Sequence, residues 1–420
     1  MKLVEIQRSE WWPAGLSFCY FLLILASYYT VRPLRDALAV SGGVAMIQYL
    51  FTATFFCMLA IVPLYGWLTS RLPRRIFLPL VYGFFLLNLL ALHWVFLQYG
   101  DSEWLPRVFF VWVSVFNLFV VPVFWAFMAD LFSTDQSRRL FGPIAAGGSI
   151  GAICGPLLVN FLTPKIGIAG LPLLSAALLA LAMVCQFTLL RWSRNRPRPT
   201  QVENPGQAMG GSIFAGATLP FRYPYLAAFC GIMFLGTFSG ALLYLEQAEV
   251  VAERLVGEAE ITVFFSRLDL LANTLTIIVQ LLLTAGIIRW LGLGLTLLLL
   301  PAVVLLGFGL ISVYPLIWVI AGAQALRRAV LFSINNPAVG MLFTVVGPQS
   351  RYKFKQFANT VVYRAGDSSG AWAFTGLMAL GLGLSGVAVL GMVAAVGWAF
   401  LALRLGASYK QLESGETKIP

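Results

Sequence analysis

The chain has 420 residues, of which 60% are hydrophobic and only 11% charged, with a formal net charge of +11 at pH 7. Soluble globular domains carry about a quarter charged residues, so this composition excludes a soluble multidomain protein and identifies an integral membrane protein. Nor does the basic surplus indicate nucleic-acid binding, because it is spread over short connections rather than gathered on one folded face.

A hydrocarbon core of about 30 Å takes about 20 apolar residues in a helix, and the runs here have that length rather than the roughly ten-residue alternation of a membrane barrel. They predict an all-α polytopic membrane protein with twelve transmembrane helices, near residues 14–38, 44–69, 76–98, 107–131, 140–162, 170–190, 224–246, 261–287, 293–313, 316–343, 358–380 and 385–404. Ahead of the first span, Met1 to Pro13 is polar and lacks an apolar core leading to a cleavage site, so the first run is expected to remain as a span. Trp11 and Trp12 are expected at the headgroup level.

Charges interrupt several of these runs. The first span holds Arg32, Arg35 and Asp36, with Tyr28 and Tyr29 one turn earlier. The fourth carries Asn117 and ends near Asp130, which is expected to latch onto Arg138-Arg139 or Arg74-Arg75. In the fifth, Gly147, Gly148, Gly151 and Gly155-Pro156 allow close helix approach, either for tight packing or as part of a gate. Residues 191–223, with Arg-Asn-Arg-Pro-Arg-Pro and Glu-Asn-Pro-Gly-Gln, are expected to form a linker between bundles at 1–190 and 224–404, and 405–420 a tail. Between the seventh and eighth spans, Glu246, Glu249, Glu253, Glu258 and Glu260 are expected on a solvated face, with a helix extending above the membrane as the alternative. The eighth span contains Arg267, Asp269, Asn273 and Gln280. The tenth contains Gln324, Arg327 and Arg328 and then Asn335-Asn336-Pro337, a predicted kink. The eleventh contains Arg364 and Asp367. The five cysteines fall singly in spans, as packing residues.

With the N-terminus taken as cytoplasmic, the outer connections hold only Arg107, Lys165 and Arg254, while the inner segments hold nineteen lysines and arginines. This positive-inside bias places both termini in the cytoplasm.

Six spans on each side of a linker is the layout of the major facilitator superfamily. Gly66-Trp67-Leu68-Thr69-Ser70-Arg71-Leu72-Pro73-Arg74-Arg75 resembles that superfamily's loop signature, with Ser70 and Pro73 standing at its Asp and second Gly. The resemblance implies a structural role for Gly66, Arg71, Arg74, Arg75 and Asp130. Within that clan, Phe124-Trp125-Ala126-Phe127, Asp135, Arg138-Arg139, Phe141-Gly142, Arg35-Asp36 and Val361-Val362-Tyr363-Arg364-Ala365-Gly366-Asp367 resemble the bacterial and plastid ATP/ADP translocase family. Several of that family's nucleotide-binding charges are absent: Tyr49-Leu50-Phe51, Val113 and Val339-Gly340 stand in their places. The superfamily resemblance implies that the first, fourth, seventh and tenth spans line a cavity with parts of the second, fifth, eighth and eleventh.

Ionised groups at membrane depth mark a pathway or binding site by default. Six arginines against three aspartates leave the interior positive, and the guanidinium fork matches carboxylate or phosphate oxygens. Arg32, Arg35, Arg267, Arg327, Arg328, Arg364, Asn117 and Tyr29 are therefore the candidate substrate-binding residues, with Arg327-Arg328 foremost. Each arginine has two other uses open to it, a structural ion pair or a gate. Arg35-Asp36, Arg267-Asp269 and Arg364-Asp367 are close in sequence, but adjacent residues on a helix point about 100° apart, so Arg35 and Asp36 are expected to find partners on other helices. Asp36, Asp269 and Asp367 are the candidates for proton coupling or gating. Trp125 and Phe51 are read as packing residues that could also stack on a substrate ring.

His93 is the only histidine, no carboxylate pair has metal-ligand spacing, and neither a Gly-x-x-x-x-Gly-Lys loop nor a Gly-x-Ser-x-Gly elbow occurs. The expectation is a non-enzymatic transporter without metal or cofactor, monomeric, in a bacterial inner membrane. It would move an anionic solute by symport with protons or by antiport against a counter-substrate. A nucleotide exchanger and a flippase for a phosphorylated lipid are the alternatives, and a sensor is disfavoured by the short tail.

Overall fold

The computed structural model describes residues 7, 10–71, 74–100, 102–194, 218–347, 354–355 and 357–413. These residues fold into helices and turns without a β-strand. Inside a bilayer every backbone group must be satisfied within the chain, and a helix does this segment by segment. The long helices are α1 (Trp11–Ser41), α2 (Ile47–Arg71), α3 (Arg74–Tyr99), α4 (Trp104–Leu131), α5 (Thr134–Ile166) and α6 (Gly170–Arg194). There follow α7 (Pro224–Arg254), α8 (Glu258–Leu282), α9 (Thr284–Thr296), α10 (Leu299–Val313), α11 (Ile317–Val330), α12 (Tyr363–Ala379) and α13 (Gly383–Glu413).

Among the described residues ten helices are long and apolar enough to cross a membrane, and α9 with α10, bent by 77°, makes an eleventh. The expected eleventh span is α12, 17 residues of α-helix that continue directly from a π turn at Ala358–Val362. The eighth span, expected to reach residue 287, stops at Leu282. The segment Thr284–Thr296 is a separate helix, broken at Gly292, whose φ of 70° a residue with a Cβ rarely adopts. At the C-terminal end, α13 runs past the expected boundary at 404 to Glu413, so the first part of the expected tail is helical. Most of the expected linker (195–217), the end of the tail (414–420) and Leu72-Pro73 lie outside the described residues. Exposed Leu87, Trp94, Phe161, Leu181 and Val184 make an apolar exterior, the arrangement of a multi-pass membrane protein.

The chain divides into two compact units, one of Met1–Gly42, Ala60–Ala208 and Val256–Leu270, the other of Gly43–Leu59, Met209–Leu255 and Leu271–Pro420. Thus α2 and α8 each begin in one unit and end in the other.

In the first unit α1 packs on α4, α5 and α6. The glycines of α5 are what allow this. A Cβ at Gly147 or Gly151 would strike the backbone of Phe18 or Leu22, at Gly148 the ring of Phe21, and at Gly155 Tyr29 and the Ala26 carbonyl. Small residues four apart bring the two backbones into contact, so tight packing accounts for the stripe. Between α1 and α6, the Ser27 hydroxyl donates to the Ser175 carbonyl at 3.0 Å and the Ser175 hydroxyl to the Ser27 carbonyl at 2.9 Å. Phe21 stacks on Phe124 with centroids 4.3 Å apart, and Trp125 meets both edge-on.

In the second unit α7 is the central helix, packed on α11, α12 and α13. Gly366 and Gly370 let α12 lie against Thr237, Phe238 and Ala241. The predicted kink at Pro337 is a π turn over Leu331–Asn335. Proline lacks an N–H and its ring crowds the carbonyl four residues earlier, which here is Ser333. That carbonyl is satisfied instead by the Thr284 hydroxyl at 2.9 Å.

Candidate transport site

In the first unit α1 carries Arg32, Arg35 and Asp36 within five residues. One turn of helix separates Arg32 from Arg35, and each finds a carboxylate. Arg32 donates from Nη1 to Oδ1 of Asp269 at 3.0 Å, its side chain 18% exposed and that of Asp269 2%. Its guanidinium also lies over the Tyr29 ring, 5.5 Å from the centroid. Arg35 bonds its neighbour Asp36 twice, from Nε at 2.9 Å and Nη2 at 2.6 Å, while stacking on Phe110 at 4.9 Å. This corrects the expectation that Arg35 and Asp36 seek other helices. Their Cβ atoms do diverge, but the arginine stem is long enough to curl back, and Phe110 holds it there.

Arg267 is not the partner of Asp269. It donates from Nε to the Asn160 side-chain oxygen at 3.1 Å. Asp269 lies two residues further along α8 and turns toward Arg32. Tyr29 is half-buried against that pair, and Asn117 is exposed on α4.

In the second unit a polar chain crosses from α11 to α7. Arg327 donates from Nε to Oε1 of Gln324 at 2.8 Å, and Nε2 of Gln324 donates to Oε1 of Gln247 at 3.3 Å. Gly240 leaves room for the Arg327 guanidinium: a Cβ there would sit 2.9 Å from Nη1. Arg328 is 6% exposed. An amide oxygen orients a guanidinium and leaves its charge in place. On α12, Arg364 pairs with Asp367 one turn away at 3.3 Å and lies over Tyr363. The structure therefore gathers Arg32, Tyr29 and Asp269 in one unit and Gln247, Gln324 and Arg327 in the other, and it engages each of the three aspartates with an arginine.

Arg139 is held by an acid that the sequence did not single out. Glu10, 2% exposed, accepts from Nη1 and Nη2 of Arg139 at 2.9 and 3.0 Å and from Gln136 at 3.0 Å. Gln136 is fixed in turn by a capping box with Ser133 at the start of α5. Burial pushes the Glu10 carboxyl up, but the bonds and charge of Arg139, with Gln136 and the Gln7 N–H, outweigh it, and the group titrates below its usual range. Asp130 is exposed at the end of α4. Of the loop signature, Gly66 lies within α2 and Arg71 is exposed at its end, while the side chains of Arg74 and Arg75 lie outside the described residues.

Glu246 is a second surprise. Expected on a solvated loop, it is 0% exposed within α7, which continues to Arg254. The signal was present in its neighbours, because Ala241-Leu242-Leu243-Tyr244-Leu245 continues the apolar run up to it. The aromatic candidates pack rather than open a site: Phe51 stacks on Tyr244 at 5.8 Å, alongside a Trp372 to Thr52 hydrogen bond of 3.0 Å. His93 bonds the Ala169 carbonyl at 2.7 Å. Among the described residues no group of three or more His, Cys, Asp or Glu is placed to hold a metal ion.

The family profile described as Major Facilitator Superfamily matches residues 16–348, most of the chain. The chain belongs to the Major Facilitator Superfamily. It is a secondary transporter of the superfamily type rather than an enzyme. Solved structures of similar fold include a POT family transporter in complex with 5-aminolevulinic acid, with a TM-score of 0.68, 12% identity and 94% of this chain against 96% of that one. The nucleoside transporter NupG, as a point mutant, gives 0.62 and 14% over 95% and 99%. A bacterial homologue of the human lysosomal transporter Spinster gives 0.58 and 15% over 96% of each chain. At such identities the likeness extends to the fold alone. No curated protein is a sequence match to the chain.

Proposed function

We propose that this superfamily member carries an anionic small solute, phosphorylated or carboxylated, across a bacterial inner membrane by alternating access, with both termini cytoplasmic. The observation that carries the reading is the Arg327–Gln324–Gln247 chain beside buried Arg328, two adjacent guanidinium groups on one membrane-spanning helix. Keeping two like charges at membrane depth is costly, and an anion that shares its oxygens between them offsets that cost with charge-assisted bonds. The arginines engaged by Asp36, Asp269 and Asp367 supply pairs that can form and break during the cycle.

A nucleotide is the second reading, favoured by the Tyr363-Arg364-Ala365-Gly366-Asp367 segment and its likeness to the ATP/ADP translocases. A lipid with a phosphorylated head group is the third. Counterflow in proteoliposomes with labelled ATP, ADP, inorganic phosphate, a sugar phosphate and a dicarboxylate separates them. Saturable counterflow of one of these anions is expected, weakened in Arg327→Ala by about 10- to 100-fold, the loss of one charged hydrogen bond of about 1.5–3 kcal/mol. If none of the anions moves or competes and a fluorescent phospholipid crosses instead, the soluble-anion reading is wrong and the flippase reading replaces it.

A further inference from the structure

The second unit contains a fully buried acid that the anion reading does not use. Glu246 is 0% exposed in the last third of a 31-residue membrane-spanning helix, and neither of its carboxyl oxygens has a hydrogen-bond partner among the described residues. Asp36, Asp269 and Asp367 each accept from an arginine; Glu246 accepts from none. A bare carboxylate in such a place is far costlier than a neutral carboxylic acid, so the side chain is accommodated with its proton on. Its position matters as much as its burial. The next residue, Gln247, is the α7 end of the chain that leads through Gln324 to Arg327.

The charged groups around it are few. From α11 come Arg327 and Arg328; the Gln324–Gln247 bond lies at the level of Glu246, and the Arg327 guanidinium lies against Gly240, under two turns before it. From α12 come Arg364 and Asp367, already paired at 3.3 Å; Gly366 beside them meets Thr237, about two and a half turns before Glu246. Those of α13, which are Arg404, Tyr409, Lys410 and Glu413, lie beyond the contact of Leu401 with Gly231, about four turns before Glu246. The helix α10, the turn at Val44–Met46 and the π turn Ala358–Val362 bring no titratable group, and the short helix Leu219–Arg222 brings Arg222 at the far end. On α7 itself, Tyr244 is half-buried, Glu249 is half-buried and Glu253 is exposed. The positive charges nearest in register are thus those assigned to the anion.

We propose that Glu246 is the protonatable group of the transport cycle, a carboxylic acid while an anion occupies Arg327 and Arg328 and a carboxylate once the anion has left, so that proton and anion travel together. This rests on the anion reading above. Its sign follows from charge: an anion and an ionised Glu246 compete for the same two guanidinium groups, so binding of the one favours protonation of the other. On release the O–H bond of the carboxyl breaks, the proton passes to water on the side where the anion departs, and the remaining negative charge faces Arg327 and Arg328.

The test has two arms, each using the full chain in lipid. In infrared difference spectra of wild type, Glu246→Gln and Glu246→Asp recorded at neutral pH with and without the transported probe, a protonated-carboxyl band in the probe-bound state is expected in wild type and Glu246→Asp and is expected to be lost in Glu246→Gln. In proteoliposomes with an imposed pH gradient and labelled inorganic phosphate, ADP and a dicarboxylate as probes, wild type should accumulate its probe above equilibrium. Glu246→Gln should lose that accumulation while counterflow survives, and Glu246→Asp should retain both. Absence of a Glu246-dependent band, or gradient-driven accumulation by Glu246→Gln equal to that of wild type, overturns the proposal and leaves anion transport standing. Wild type that moves none of the probes in counterflow overturns the anion reading, and the linkage with it.

Discussion

The Arg32–Asp269 pair offers the sharpest quantitative test of how the first unit is held together. Asp269 comes from α8, and its side chain is 2% exposed; Arg32 is 18% exposed, and the bond is 3.0 Å. Removing one member of a buried ion pair costs about 3–5 kcal/mol, mainly because the other charge is left behind. The residual exposure of Arg32 allows some solvation, so Asp269→Asn is expected at the lower end, about 3 kcal/mol. Arg32→Met removes the arginine from Asp269, the more deeply buried member, and should cost at least as much. With both charges gone the penalty disappears, and the double variant should lie within about 1–2 kcal/mol of wild type. The non-additivity of that cycle is then at least about 4 kcal/mol, above the usual range of about 0.5–3 kcal/mol for residues in contact. Equilibrium unfolding in mixed micelles, followed by tryptophan fluorescence, measures all four proteins. Single effects that add to within about 0.5 kcal/mol would show that the pair does not couple α1 to α8, and the reasoning above would fail.

Two further predictions concern the same unit. Glu10 titrates lower in the folded protein than the usual value of about 4.3, so its contribution is present above that pH and is lost as pH falls through the lower folded value; Glu10→Gln should cost about 1.5 kcal/mol at pH 7, with a deficit in unfolding midpoint that shrinks below pH of about 4. A deficit constant across that range would contradict the assignment. Along α5, Gly151→Leu should abolish folding and Gly151→Ala should cost about 1–3 kcal/mol through overpacking, whereas Gly142→Ala, with nothing within 4 Å of its Cβ, should be neutral or stabilising by up to about 1 kcal/mol; equal effects at the two positions, read from detergent-resistant folded yield, would rule out the packing explanation.

Much of this was legible in the sequence because the bilayer imposes it locally. An apolar run of membrane length must be helical whatever surrounds it, so the spans could be placed before any contact was known. The exceptions are instructive. Gly292 breaks α9 internally through a positive φ, which glycine permits but does not demand. Pro337 announced an irregularity, but only its setting decided that the ladder would widen into a π turn, with the Thr284 hydroxyl taking up the Ser333 carbonyl.

The sequence by itself determined an all-helical membrane transporter with arginines at membrane depth, since hydropathy, charge and helix length are properties of neighbouring residues. Only the tertiary structure decided the partners. Asp269 turned to Arg32 across 237 positions of sequence rather than to Arg267 two residues away, Arg139 took Glu10 across 129 positions, and Glu246 went inside. A side-chain bond depends on which helix faces are brought together and how far a flexible stem can reach, and no local pattern encodes either.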